Sequence, residues 1–198
     1  MSHQHLKTIL VAALTLALAG GLPLASQAMG DKSTTSTSST KGSATQAQST
    51  LSSSDKKFIE EAGKGGLAEV EFGQLAEQKA QSPDVKQFGQ KMVSDHSKIN
   101  DKLKQIASQK NVNLPTALEG SEKREYDKLQ KLSGARFDQE YMKTMVSDHQ
   151  KDVKAFQKEA KSAKDADVKS FADSNASTIE EHLQLAKSAE ASAKKEKA

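Results

Sequence analysis

The chain has 198 residues, 35% hydrophobic and 28% charged, with 29 basic against 26 acidic side chains for a formal net charge of +3. That length is one domain of ordinary size, and charges so evenly mixed exclude an electrostatic grip on nucleic acid. Aromatics at 4% with no Trp argue against a β-sandwich or a base-stacking platform, and the absence of Cys removes disulfides, thiolate metal sites, haem attachment and lipidation of an N-terminal Cys.

The N-terminus opens with a mildly basic segment around Lys7, followed by an apolar run over residues 8–19 and then Leu22-Pro23-Leu24-Ala25. Ser26-Gln27-Ala28 places small residues at −3 and −1, the layout of a secretory signal peptide cleaved after Ala28. The alternative is an uncleaved anchor, but the run falls short of the ~20 residues a spanning helix needs. Nothing after Ala28 is apolar enough to cross a bilayer, so the mature chain is expected to be exported to the periplasm or cell envelope with no transmembrane span. Residues 29–54 are dominated by Ser and Thr and read as a disordered tether, ending in Ser54 as an N-cap.

The predicted bundle domain covers residues 55–190, in four long helices. The first spans 55–81, and Ser82-Pro83-Asp84 stops it and starts the next, with Ser as cap, Pro at the first helical position and Asp at the positive end of the dipole. The second runs over 83–110, a Pro115-containing loop over 111–120, and a short amphipathic helix over 121–132. Ser133-Gly134 breaks the chain before a third long helix over 135–163. A tight turn at Lys164-Asp165-Ala166 leads to the fourth, 167–189, and residues 191–198 form a charged tail.

Apolar residues recur at steps of three and four in three of these helices. The second has Val85, Phe88, Met92, His96, Ile99, Leu103 and Ile106; the third has Phe137, Tyr141, Met145, His149, Val153, Phe156 and Ala160. The fourth has Val168, Phe171, Asn175, Ile179, His182 and Leu185 or Ala186. Gly63, Gly65 and Gly66 blur the first helix, where Leu67, Glu71 and Leu75 share a face. Two short connections and one long crossover between the second and third long helices predict an all-α, ferritin-like antiparallel four-helix bundle, the crossover carrying the short extra helix.

Two echoes run along the chain. Met92-Val93-Ser94-Asp95-His96 reappears as Met145-Val146-Ser147-Asp148-His149, 53 positions on, and Asp84-Val85-Lys86-Gln87-Phe88 resembles Asp167-Val168-Lys169-Ser170-Phe171, 83 positions on. Unequal offsets argue against one simple duplication, and the first echo is the stronger.

Three helices thus carry a His where the stripe asks for an apolar residue, and the remaining one carries Glu71. Counted from the adjoining turns at ~1.5 Å per residue, Glu71 and His96 lie roughly 16 and 21 Å deep, and His149 and His182 roughly 22 and 27 Å. Inward polar groups at one depth are the raw material of a bundle-core site, since imidazole and carboxylate suit Fe, Zn, Mn or Cu. Glu71, His96, His149 and His182 are the candidate ligands of one transition-metal ion. Asp95 and Asp148 each precede a His and point about a quarter-turn away from it, so they are candidates to orient a His on the next helix from outside the coordination sphere. The competing reading is a hydrogen-bonded polar layer with no metal.

The segments GGLAEVEFGQLA (residues 65–76), PDVKQFGQKMVSDH (83–96), LSGARFDQEYMKTMVSDH (132–149) and Glu181-His182-Leu183 resemble the bacterial envelope family called domain of unknown function 4142. The resemblance implies a ferritin-like fold and export, and no activity. Many ferritin-like proteins bind two metals through Glu-x-x-His pairs, whereas Val93, Val146 and Ile179 stand three residues before the histidines here. A di-iron oxidase or mineralising centre is therefore disfavoured. No nucleophile elbow is present to support a hydrolase. Two functions remain: an exported metal-binding bundle for storage, sensing or stress protection, and a non-enzymatic envelope protein of structural or interaction role.

Overall fold

In the computed structural model, which describes residues 51–195, the three-and-four periodicity produces four long helices and one short one. They are α1 (Ser53–Lys79), α2 (Pro83–Gln109), α3 (Gly120–Gln130), α4 (Gly134–Ser162) and α5 (Ala166–Ala193), and no strand occurs among the described residues. The signal segment and residues 29–50 of the tether lie outside the described residues. The start of α1 comes earlier than expected, because the Ser52 hydroxyl, not that of Ser54, accepts the Asp55 N–H at 3.1 Å and caps the helix. The end of α5 comes later, so the helix includes the first residues of the expected tail. No described helix is long and apolar enough to cross a membrane.

The helices pack as two hairpins, α1 on α2 and α4 on α5, which meet through α2 against α5 and, more sparsely, α1 against α4; α3 lies on α1 and α4. Each hairpin has its turn secured by a buried aspartate from the other. Asp55, in the first turn of α1, accepts the backbone N–H groups of Lys164 and Asp165 at 3.0 and 2.8 Å. Asp138, just past the first turn of α4, accepts those of Gln81 and Ser82 at 3.1 and 2.7 Å. Asp55 and Asp138 are 83 positions apart, as are Ser82 and Asp165, the N-caps of α2 and α5. The 83-residue echo is therefore the one the fold repeats, whereas the stronger MVSDH echo relates α2 to α4, which are not equivalent in this arrangement. Burial pushes the Asp55 carboxyl up, but the N–H groups and the Ser52 hydroxyl outweigh it and hold it below the ordinary value.

The close approach of α1 and α2 is made by glycine. A methyl group at Gly73 would come within 2.8 Å of the Gly89 carbonyl oxygen, and one at Gly89 within 2.8 Å of the Ala76 side chain.

Two apolar clusters fill the bundle. One holds Phe72, Leu75, Val85, Phe88, Met92, Phe137, Tyr141 and Met145; the other holds Phe58, Ile59, Ile99, Leu103, Phe156, Phe171 and Ile179. All four stripes pass from one cluster to the other, and the residues that bridge them on α2, α4 and α5 are His96, His149 and His182.

Candidate metal centre

His96, His149 and His182 are each at most 3% exposed. Their ring centroids form a nearly equilateral triangle with sides of 5.3, 5.6 and 5.8 Å. One nitrogen from each ring lies within 4.8 Å of the other two. Around a single ion with bonds of about 2.0–2.1 Å the spacing is about 3.4 Å, so the rings need close by at most about 1.4 Å.

The outward nitrogens decide which nitrogens face inward. His149 Nδ1 lies 2.9 Å from the Met145 carbonyl oxygen. A carbonyl only accepts, so Nδ1 carries the proton and Nε2 the free lone pair. His182 Nε2 lies 3.1 Å from Asp95 Oδ2; it donates to the carboxylate, which leaves Nδ1 with the lone pair. His149 Nε2 and His182 Nδ1, with His96 Nε2, have no hydrogen-bond partner in this buried layer. An unpaired buried polar atom costs roughly 1–3 kcal/mol, and three at one level are the donor set that a metal ion satisfies. The residues present therefore fit a metal.

All three rings are held neutral. Burial lowers the His96 pKa far below its ordinary value, helped by the charges His149 and His182 would carry. Burial likewise lowers His149. It lowers His182 to about 4 against the pull of the Asp95 hydrogen bond. Asp95 is pushed up by burial but held below its usual value by Lys91 at 3.0 Å and by His182.

Of the candidates outside the triad, Asp95 reaches from α2 to His182 on α5. Asp148 does not: it is half-buried, pairs with Lys151 at 2.8 Å and lines a groove between α1 and α4. Glu71 is only half-buried and is not in the cluster. The carboxylate that α1 brings to the layer is Glu69, 3% exposed, with Oε1 at 3.5 Å from His149 Nδ1. Burial, then the charge of Asp148, raises the Glu69 carboxyl well above its usual range. Two residues along a helix rotate about 200°, so Glu69 and Glu71 face opposite sides. The inner face of α1 is written in glycine: Gly63, Gly66 and Gly73 are buried, and an Asn100 oxygen would lie 2.0 Å from a methyl group at Gly66. Continuing their spacing of three and four reaches Glu69, the signal that Leu67 and Leu75 obscured. Asp152, one turn after Asp148, is pushed up to about 7 by burial and then by Glu69.

The family described as "Domain of unknown function (DUF4142)" matches residues 40–189. No curated protein matches the chain. Among solved structures, a DUF305 fragment from Deinococcus radiodurans is similar at TM-score 0.61 and 10% identity, over 70% of this chain and 95% of that one. CopM in its Cu(I)-bound form is similar at TM-score 0.57 and in its Ag-bound form at 0.55, each at 18% identity over 68% of this chain and 93% of that one. At these identities the likeness is one of fold.

Proposed function

Because the chain belongs to the DUF4142 family, whose description assigns no activity, its function has to be read from the site, and we propose that it binds one Cu(I) or Zn(II) ion through His96, His149 and His182. The observation that carries this reading is the set of three unpartnered ring nitrogens facing one another inside the bundle. An all-imidazole set suits Zn, Cu and Fe, whereas Mn is better served by oxygen donors, and Fe(II) stands low in the general affinity order that Cu heads. A site without a charged ligand also favours the smaller charge of Cu(I), because burying charge in a low-dielectric core is costly. CopM binds Cu(I) and Ag in the two structures to which this chain is similar, and Cu(I) is accordingly the first ion to try.

The carboxylate of Asp95 behind His182 and the carbonyl of Met145 behind His149 are the outer partners that fix tautomer and raise ligand basicity in metal sites. Because all three rings are covered, the ion would be sequestered and not offered to a substrate, which makes storage, buffering or delivery a better reading than catalysis. The apolar run over 8–19 with Ser26-Gln27-Ala28 supports the same role in an exported protein. The test is anaerobic titration of the mature protein against a chromophoric Cu(I) chelator, with Zn(II) in parallel. One ion per chain in the wild type and a loss of at least about a hundredfold in affinity for His149→Ala are expected. No uptake of either ion leaves a hydrogen-bonded polar layer inside a structural envelope protein.

A further inference from the structure

Glu69, Asp148 and Asp152 are not accounted for by the imidazole triangle. All three line one groove of about 340 Å³ where α1 and α4 pack sparsely. Its carboxylates, Glu61, Glu69, Glu122, Asp148 and Asp152, outnumber its two lysines, Lys64 and Lys151. Those lysines are already engaged: Lys64 lies 3.9 Å from Glu122 and Lys151 lies 2.8 Å from Asp148. Among the described residues Glu69 has no Lys or Arg within ion-pair distance, and Asp152 shares only the more distant charge of Lys151, which is already paired with Asp148. Glu69 is the decisive member. It is only 3% exposed, its Oε1 faces His149, and its Oε2 has no partner.

The groove is also held open by a missing side chain. Gly65 lines it in mid-helix, where glycine costs about 1 kcal/mol relative to alanine. Neighbouring Gly63 and Gly66 are explained by atoms that would collide with a methyl group, but at Gly65 nothing lies within 4 Å. No packing demand keeps that position bare, and any side chain there would narrow the groove.

We propose that this groove is a second cation site, taking one hydrated divalent cation of the Mg(II), Ca(II) or Mn(II) class on Glu69 Oε2, Asp148 and Asp152. The donor set is all oxygen, which selects hard cations as firmly as the imidazole triangle selects borderline and soft ones. The three groups do not form one close donor cluster, and the ion has to displace the protons that burial keeps on Glu69 and Asp152, so it keeps waters and meets some of the groups through its hydration shell. The proposal does not depend on the imidazole triangle being occupied, although Glu69 touches both sites.

Mn(II) is the probe, with loss of the free-ion EPR signal as the readout and the full mature chain as the sample. One bound Mn(II) per chain is expected for the wild type. Asp148→Asn/Asp152→Asn, at partly exposed positions, should weaken it at least about tenfold while leaving Cu(I) stoichiometry at the histidines unchanged. Gly65→Lys, whose Cβ would meet nothing within 4 Å and whose ammonium would enter the groove, should weaken Mn(II) in the same way. No Mn(II) bound by the wild type at millimolar concentration would overturn the site. So would Mn(II) binding that both groove variants retain, or that His96→Ala weakens as much as they do.

Discussion

The two hairpins share a scaffold and differ in what they carry at mid-height. At their ends they are interchangeable: Asp55 caps the α4–α5 turn as Asp138 caps the α1–α2 turn, with Val85 and Phe88 of α2 answered by Val168 and Phe171 of α5. At the middle the symmetry stops. The first hairpin contributes His96, Glu69 and a glycine-lined face; the second contributes His149, His182 and Asp152. Gly66 and His149 are 83 positions apart, as are Ile99 and His182, so each His of the second hairpin stands where the first has glycine or isoleucine. Shared positions hold the bundle together, and the positions that break the symmetry carry the polar chemistry.

The largest expected effect breaks the shared part. Asp138→Ala strands two backbone N–H groups at the α1–α2 turn, and Asp55→Ala strands two at the α4–α5 turn. With charged hydrogen bonds worth roughly 1.5–3 kcal/mol, each variant should lose about 3–4 kcal/mol in urea unfolding. Near-equal losses would confirm the equivalence of the two clamps, and a loss below about 1 kcal/mol in either would break it.

A somewhat smaller effect, read by pH, tests the polar groups that break the symmetry at mid-height. His182 has a folded pKa of about 4 against an ordinary value of 6.5, so between those values the unfolded chain binds the extra proton. Its contribution is complete above pH 6.5 and is lost as pH falls towards 4, a change of about 3 kcal/mol at 1.36 kcal/mol per unit. His96 and His149 act with the same sign. Asp152, raised to about 7, and Glu69 oppose them: their folded forms keep protons that the unfolded chain releases, so their contribution is lost as pH rises through that range. The metal-free protein should therefore lose stability from pH 6.5 to 4, and Asp152→Asn should make that loss steeper. A flat or shallower profile in the variant would contradict the assignment. Because burial keeps His182 neutral, metal affinity should also persist well below pH 6.5, where an ordinary imidazole would release its ion.

The smallest effect tests one outer partner. Asp95→Asn keeps an acceptor for the His182 N–H but removes the negative charge, and should weaken the metal about 10–100-fold, or about 1.4–2.8 kcal/mol, without loss of helicity. Unchanged affinity would reduce Asp95 to a surface partner of Lys91 and Lys98.

Much of this was legible from the residues. Stripes of three and four marked α2, α4 and α5, and a His at a stripe position already states both burial and direction. Ser82-Pro83 marked the first turn to within a few residues. The inner face of α1 was not legible in the same way, because glycine writes no hydrophobic signal and its buried face had to be inferred from what packs into the gaps. Leu67 and Leu75 therefore pointed to Glu71 in place of Glu69. The reciprocal clamps were hidden for a different reason: Asp55 in a first helical turn is explained locally by the dipole, nothing local marks Asp138 one turn into α4, and only the fold shows both turned to the opposite hairpin. The identical MVSDH pentapeptides misdirected the repeat, since one aspartate supports His182 and the other faces the groove.

The central claim is most directly tested by X-ray absorption on the Cu(I)-loaded mature protein. Three nitrogen scatterers at about 2.0 Å, with the multiple scattering of imidazole rings, are predicted, with one fewer in His96→Ala. A first shell of sulfur or of oxygen alone, or a spectrum unchanged by His96→Ala, would contradict it.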